Sequence, residues 1–109
     1  MTHLLAQRSK DLPKGTPPLA KSEVEKLLSE VSGWELSPDG KRITRAYGFS
    51  DFHETIEFVN AAAYVIHKED HHPDLEVSYK TCKITFWTHT VGGLSLNDFI
   101  CAAKLNALI

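Results

Sequence analysis

Residues 51–73 read DFHETIEFVNAAAYVIHKEDHHP and carry the clearest structural signal in this 109-residue chain. Asp51 is a favourable helix N-cap, and Glu54 three residues later completes a capping box. The helix must end near His71, because Pro73 cannot continue it and disfavours helical backbone at the preceding residue. We predict that one face of this helix carries Phe52, Ile56, Val59, Ala63 and Ile66.

Short runs of alternating apolar and polar residues lie on both sides of this helix. Before it, residues 34–36 and 43–49 flank residues 37–40, SPDG, and an Asp-Gly pair between such runs predicts a hairpin. After it, residues 75–79 and 84–88 alternate in the same way and predict a second hairpin. We therefore expect four strands.

Two shorter helices complete the order αββαββα. The first is predicted before Gly33 from apolar residues at near-helical spacing, Leu19, Val24, Leu27, Leu28 and Val31. The last begins at a second candidate capping box, Ser95 with Asp98, and has the apolar residues Leu96, Phe99, Ile100, Ala103 and Leu105. Hairpins separated by helices predict an α+β, two-layer domain, with a four-stranded antiparallel sheet and helices on one face.

The chain is expected to form one folded domain, residues 19–109, preceded by an N-terminal arm, residues 1–18. Three prolines and a glycine lie among polar residues in the arm, a composition typical of extended or mobile segments. We predict that the arm is flexible and lies outside the core.

Composition argues against several classes of function. The net charge is −2 with acidic and basic residues interspersed, so no basic surface for nucleic acid is expected. No apolar run approaches the roughly 20 residues of a membrane span, and the N-terminus lacks a secretory signal pattern, so we expect a cytoplasmic protein.

Cys82 and Cys101 form neither a CxxC pair nor a zinc ribbon, and we interpret both as reduced packing residues.

Three of the six histidines lie where predicted elements end. His71 and His72 follow the long helix, and His89 follows the fourth strand. If the last two strands pair as a hairpin, residues 73–75 face residues 86–88, and His89 then lies beside the histidine pair. Histidine exchanges protons near neutral pH, so three of them suit a reaction that needs an acid and a base together.

The same histidines also fit a structural role or a metal site. The helix dipole favours histidines at the helix end, and His89 is then an ordinary loop residue. His67 and His71 lie four residues apart and with His89 could form a zinc ligand set, although no HExxH motif or cysteine ligand accompanies them. Covalent catalysis by Cys82 and phosphate binding at Gly92-Gly93 have no supporting motif. We expect neither a metal nor a cofactor.

One spaced pattern resembles that of the pterin-4a-carbinolamine dehydratase family: His71-His72-Pro73, Tyr79, His89 and Asp98. The resemblance runs from about Leu19 to Leu108 and includes three further segments, Gly33-Trp34, Phe49-Ser50-Asp51-Phe52 and Gly93-Leu94-Ser95. It implies dehydration of a 4a-hydroxytetrahydropterin to the quinonoid dihydropterin, the recycling step that follows aromatic amino acid hydroxylation, without a cofactor.

The same resemblance implies roles for individual residues. His72 is expected to lie against the pterin ring, while His71 and His89 deliver or accept protons. The residues expected to bind the substrate are Asp70, His71, His72, Trp87, Thr88, His89 and Thr90.

Three supporting positions have alternative roles. Asp98 matches the family's acidic position, or it only caps the last helix, and Trp34 borders the pocket or belongs to the core. His67 departs from the family, which often has an acidic residue there. The carboxylate that raises the basicity of a neighbouring histidine is then missing, unless Glu69 or Asp70 substitutes for it.

The resemblance also implies partners. Relatives assemble as dimers or tetramers by joining sheet edges and packing helices, so we expect a homodimer or homotetramer. Animal relatives also act as dimerisation cofactors of a homeodomain transcription factor, which leaves a non-catalytic binding module as an alternative. A diverged paralogue in molybdopterin metabolism or plastid assembly is another. We expect a pterin substrate and a pathway link to aromatic amino acid hydroxylases, with no nucleic acid or membrane partner.

Overall fold

The structure is a computed structural model that describes residues 3–109. In chain order the elements are α1 (Lys21–Leu28), β1 (Glu35–Leu36), β2 (Ile43–Gly48), α2 (Phe52–Glu69), β3 (Asp74–Val77), β4 (Thr81–Phe86) and α3 (Leu96–Asn106). Two short 3-10 turns cover Leu4–Ala6 and His89–Val91. The predicted order αββαββα is confirmed. Within residues 3–109 no helix is both long and apolar enough to cross a membrane.

The four strands form one antiparallel sheet in the order β1-β2-β4-β3. β2 and β4 pair along their whole length at the centre and leave β1 and β3 as the edges. Leu75 of β3 pairs with Ile84, so the register that placed it opposite residues 86–88 is wrong. The sequence predicts a turn over residues 79–82, whereas the hairpin closes one residue earlier, between Ser78 and Thr81, and this shifts the register.

One face of the sheet packs against the helices and forms the core. Its fully buried side chains include Tyr47 and Phe86 from the sheet and Phe99 from α3, which confirms the two-layer α+β architecture. Cys82 and Cys101 are buried and unpaired, as predicted. Burial raises the pKa of both thiols, that of Cys101 to about 12.

Helix α2 buries a different face from the predicted one. Asp51 does accept a hydrogen bond from the Glu54 amide at 2.9 Å, as expected of an N-cap. Phe52 is 44% exposed, however, and Ala63 is exposed as well. The buried residues are Thr55, Phe58, Ala62 and Glu69, and only two predicted residues pack at the border of the core, Val59 and Ile66. The helix carries apolar residues around much of its circumference, so periodicity alone did not identify the face that meets the sheet.

Helix α1 is shorter than predicted. The Leu19 amide donates to the Leu94 carbonyl at 2.9 Å, which holds Leu19 ahead of the helix, and helical backbone begins only at Lys21. The spacing nevertheless identified three buried residues, Val24, Leu27 and Val31.

The N-terminal arm lies against the folded domain. Leu4 is 5% exposed and belongs to the hydrophobic core, and the turn Leu4–Ala6 contacts α3. The prediction that the arm lies outside the core is therefore wrong at Leu4, because its partners lie near the other end of the chain. The flexibility of the arm and the domain boundary at residue 19 stay predictions.

Candidate active site

The end of α2 directs the histidine pair out of the helix. Asp70 has φ 52° and ψ 42°, the left-handed conformation, and its amide donates to two carbonyls of the last helical turn. A non-glycine residue in this region is strained by roughly 1 kcal/mol. Pro73 then keeps the chain extended, so His71 and His72 leave α2 on the way to β3.

A cavity of about 190 Å³ lies between this helix end and the loop after β4. The two segments meet because the antiparallel pair places the start of β3 and the end of β4 at the same end of the sheet. All seven residues predicted to bind substrate line the cavity, namely Asp70, His71, His72, Trp87, Thr88, His89 and Thr90. The structure therefore brings the three candidate catalytic histidines together.

The carboxylate of Asp98 organises the buried side of this cavity. The residue is fully buried in the first turn of α3, and its Oδ1 lies 2.6 Å from Nε2 of His71. Oδ2 accepts hydrogen bonds from the Thr88 hydroxyl at 2.8 Å and from the Ser95 amide at 2.9 Å. Asp98 thus caps α3, as the sequence suggested, and also holds His71, a contact that the sequence did not predict.

The contact with Asp98 determines which nitrogen of His71 is available for proton transfer. A carboxylate only accepts hydrogen bonds, so Nε2 of the neutral imidazole carries the hydrogen and Nδ1 is the proton acceptor. The ring stacks on Phe86 with 9° between the planes, and the side chain is 13% exposed. His71 is therefore held in one orientation beside a negative charge.

His72 and His89 occupy the open side of the cavity. Both are exposed. His89 begins the second 3-10 turn, and its ring centroid lies 4.7 Å from that of Trp87. The guanidinium of Arg42 lies 4.7 Å from the same indole, within cation–π range. This side therefore offers two imidazoles and an indole to a ligand that arrives from solvent.

None of the three predicted supporting residues lines the cavity: Asp98 is buried beside His71, and His67 and Trp34 lie elsewhere. His67 is exposed on α2 and is not among the lining residues. Trp34 is 5% exposed in the core, where its indole N–H donates to Oδ1 of Asn106 at 3.0 Å. The carboxylate paired with a histidine is Asp98, and neither Glu69 nor Asp70 takes that position. Within residues 3–109, no three His, Cys, Asp or Glu side chains are grouped as a metal ion requires.

Comparison with known proteins shows the family of this chain. The sequence model of a family described as "Pterin 4 alpha carbinolamine dehydratase" matches residues 17–108. This chain belongs to the pterin-4a-carbinolamine dehydratase family. A relative from Nitrosomonas eutropha, named "Putative pterin-4-alpha-carbinolamine dehydratase", is 47% identical over 97% of this chain and 93% of its own length.

Solved structures related to the dehydratase family are also similar to this chain. A "transcriptional coactivator/pterin dehydratase" from Brucella melitensis superposes with a TM-score of 0.80 at 33% identity, over 84% of this chain and 97% of its own. A "pterin dehydratase-like protein", described as a RuBisCO assembly factor in the alpha-carboxysome, gives a TM-score of 0.61 at 19% identity, over 70% of this chain and 88% of its own. The second likeness shows the fold alone.

The cavity of this dehydratase-family chain has further lining residues that the sequence did not predict: Ser9, Lys10, Asp11, Leu12 and Asn97. Lys10 and Asn97 are hydrogen-bonded although 87 positions separate them, and no local pattern signals such a contact. The family match begins at residue 17 and leaves the arm out. The match to the Nitrosomonas relative covers 97% of the chain and therefore includes most of the arm.

Glu69 is a second buried carboxylate, next to Asp70 but outside the cavity. Its side chain is 2% exposed and lies 2.8 Å from the Lys104 ammonium, 2.8 Å from the Ser9 amide and 3.0 Å from Nε of Arg8. Burial by itself raises the pKa of this carboxyl. The hydrogen bonds and the two positive charges outweigh burial, so the pKa lies below its ordinary value of 4.5.

Proposed function

We propose that this chain dehydrates 4a-hydroxytetrahydropterin to quinonoid dihydropterin and water, by acid–base catalysis with His71, His72 and His89. The observation that carries the proposal is the meeting of these imidazoles in one cavity, where one of them is paired with a buried carboxylate. Membership of the dehydratase family supports the same reaction.

The proposed reaction requires only proton transfers. The N5 lone pair forms a C4a–N5 double bond as the C4a–O bond breaks, the departing hydroxide takes a proton and leaves as water, and the N5 hydrogen passes to a base. We assign His72 to the face of the pterin ring, and His71 and His89 to the two proton transfers. Nδ1 of His71 suits the base, because the carboxylate of Asp98 would stabilise the imidazolium that forms.

The direct test follows the disappearance of 4a-hydroxytetrahydropterin absorbance with purified protein in the presence of a chelator. We expect the wild type to accelerate the reaction and His72→Ala to lose most of that acceleration, because the group assigned to the face of the pterin ring is removed. His53→Ala is the matched control, because His53 is exposed on the first turn of α2 and is not among the lining residues.

Two results would contradict this assignment. Full activity in His72→Ala would contradict the assigned roles. No acceleration by the wild type would contradict the proposed dehydratase activity. It would favour a binding module instead, since the name of the Brucella protein also includes a transcriptional coactivator.

We also propose that the reaction serves tetrahydrobiopterin recycling in the cytoplasm, where the buried thiols Cys82 and Cys101 would stay reduced. If so, added protein should raise the sustained turnover of phenylalanine hydroxylase in a coupled assay, and His72→Ala should not. Equal turnover with and without the wild type would contradict the pathway link.

We further propose a homodimer or homotetramer that assembles through the free edge of the sheet. β3 is an edge strand, and two of its apolar residues are substantially exposed, Leu75 at 38% and Val77 at 43%. An uncovered apolar edge strand tends to pair with another chain. Light scattering should give a multiple of the chain mass, and a monomer at working concentration would contradict the proposal.

A further inference from the structure

The N-terminal arm forms part of the same cavity as the histidines. Residues 9–12 line it together with the exit of α2 and the loop after β4. These arm residues contribute a positive charge at Lys10, a negative charge at Asp11 and the partly buried side chain of Leu12. A ligand in the cavity is therefore in reach of the arm as well as of the imidazoles.

The arm is held in place at Lys10 by a reciprocal pair of hydrogen bonds. The Lys10 amide donates to Oδ1 of Asn97 at 3.0 Å, and Nδ2 of Asn97 donates to the Lys10 carbonyl at 2.7 Å. Both groups of the arm belong to the backbone, so the contact fixes the path of the chain. Asn97 is 7% exposed, and it precedes Asp98, the residue that holds His71.

A second attachment lies one residue earlier in the arm. The Ser9 amide donates to Oε1 of Glu69 at 2.8 Å, and Arg8 forms an ion pair with Oε2 of the same carboxylate and donates to the Lys68 carbonyl. Glu69 lies two residues before His71. The two attachments therefore tie the arm to both helix ends that carry the histidine and its carboxylate.

A third attachment is apolar. Leu4 is buried in the core, so the chain is held on both sides of residues 5–7 as it runs towards the cavity. A segment anchored by the core and by backbone hydrogen bonds has lost most of its conformational freedom before any ligand binds. These three attachments argue against the predicted flexibility of the arm and present it as a surface of the cavity that exists before a ligand binds.

We propose that residues 9–12 are a fixed wall of the substrate site and determine its affinity for the pterin, with Asn97 and Glu69 as the positioning residues that hold this wall. The proposal rests on the proposed function for the identity of the ligand. The carboxylate of Asp98 binds His71, Thr88 and Ser95, all of which lie outside the arm. Loosening the arm therefore weakens substrate binding and leaves the proton-transfer groups in place.

The test separates KM from kcat in two variants that release the arm from opposite partners. Ser9→Pro removes the amide that donates to Glu69, and Asn97→Ala removes both hydrogen bonds to Lys10. We expect each to raise KM about 10-fold with kcat within about twofold of wild type, the pattern of a lost binding contact. The Kd for 7,8-dihydrobiopterin, which has no 4a-hydroxyl and cannot react, should rise by the same factor.

Two further variants control this measurement. Asn97→Asp keeps the acceptor for the Lys10 amide and loses the donor to its carbonyl, so its KM should lie between those of wild type and Asn97→Ala. Lys14→Pro introduces a proline outside the cavity, at the second position of the turn closed by Thr16 and Pro13. Proline suits that position because Gly15 follows with φ 93°, so KM should stay at the wild-type value.

The outcomes distinguish this proposal from the proposed function. An active wild type with unchanged KM in both arm variants would contradict the proposal that the arm determines substrate affinity. It would not contradict the proposed dehydratase reaction. A fall in kcat with unchanged KM would also overturn it. If the wild type is inactive, the proposed dehydratase reaction is contradicted. The Kd values for 7,8-dihydrobiopterin then still decide whether the arm contributes to pterin binding.

Discussion

The two sides of the cavity are built differently. On the inner side, the lining residues His71 and Thr88 are hydrogen-bonded at 2.6–2.8 Å to Asp98 and Ser95, which are buried and do not line the cavity themselves. The outer side faces solvent and consists of His72, Trp87 and His89. The first is held by buried protein groups, whereas the second leaves two imidazoles open to a ligand.

This difference separates two requirements of an acid–base site. A group already oriented in a buried network does not have to reorganise during the reaction. Groups on the open side meet the ligand directly and add little to the folded state. Substitutions on the inner side should therefore change stability and rate together, and those on the outer side should change rate alone.

Asp98→Ala should have the largest effect on stability. It removes the acceptor for His71, for Thr88 and for the Ser95 amide, and it leaves buried donors unpaired, so we expect a loss of about 3 kcal/mol in the free energy of unfolding. Urea denaturation measures this loss. Asp98→Asn is the control, because it keeps an acceptor at the same place and should lose less. An unfolding free energy equal to that of wild type in Asp98→Ala would show that the inner side is not a stabilising network.

His71→Ala and His89→Ala compare the two sides directly. Both should lose ~10-fold or more in kcat, because each removes a proposed proton-transfer group. His71→Ala should also lose about 1 kcal/mol of stability, since it leaves a buried oxygen of Asp98 unpaired, whereas His89→Ala should stay within ~0.5 kcal/mol of wild type. Steady-state kinetics and thermal unfolding measure the two effects. Equal stability losses would remove the distinction between the sides.

Glu69, which binds Ser9 and Arg8 of the arm, should make a pH-dependent contribution to the stability of the folded protein. Its pKa is lower in the folded protein than the ordinary value of 4.5, so its stabilising effect is complete above that value and is lost as the pH falls through the lowered folded pKa. We expect Glu69→Gln to be about 1 kcal/mol less stable than wild type at pH 7. The difference, measured by urea denaturation at several pH values, should shrink below pH 4.5. A constant difference down to pH 3 would contradict the ionised contact.

Asp70→Gly should have the smallest effect and the opposite sign. Asp70 has φ 52°, a backbone conformation that glycine adopts without strain, so we expect a gain of about 0.5 kcal/mol in stability. Because Asp70 lines the cavity, KM should rise at the same time. Thermal unfolding and steady-state kinetics check both parts. Asp70→Asn is the control, because asparagine tolerates this conformation and only the charge is removed, so KM should rise without a gain in stability. A less stable Asp70→Gly would contradict the inference that the backbone at Asp70 is strained.

Local sequence predicted much of this molecule. Asp51 and Pro73 act on the backbone of their immediate neighbours, so the start of α2 and its exit at the histidine pair followed from the sequence. Strand alternation then placed His89 at the matching end of β4, even though the register at Leu75 was wrong. A shift along the hairpin changes the partner of each residue, but not the end of the sheet at which two antiparallel strands meet.

What the sequence by itself determined is therefore the order of elements and the three histidines at one end of the sheet, because caps, prolines and alternation act over a few residues. Only the tertiary structure decided which face of α2 is buried, that Asp98 holds His71, and that the arm lines the cavity. These depend on contacts between residues far apart in the chain, such as the 87 positions between Lys10 and Asn97. Their energies arise only when the folded chain brings the partners together.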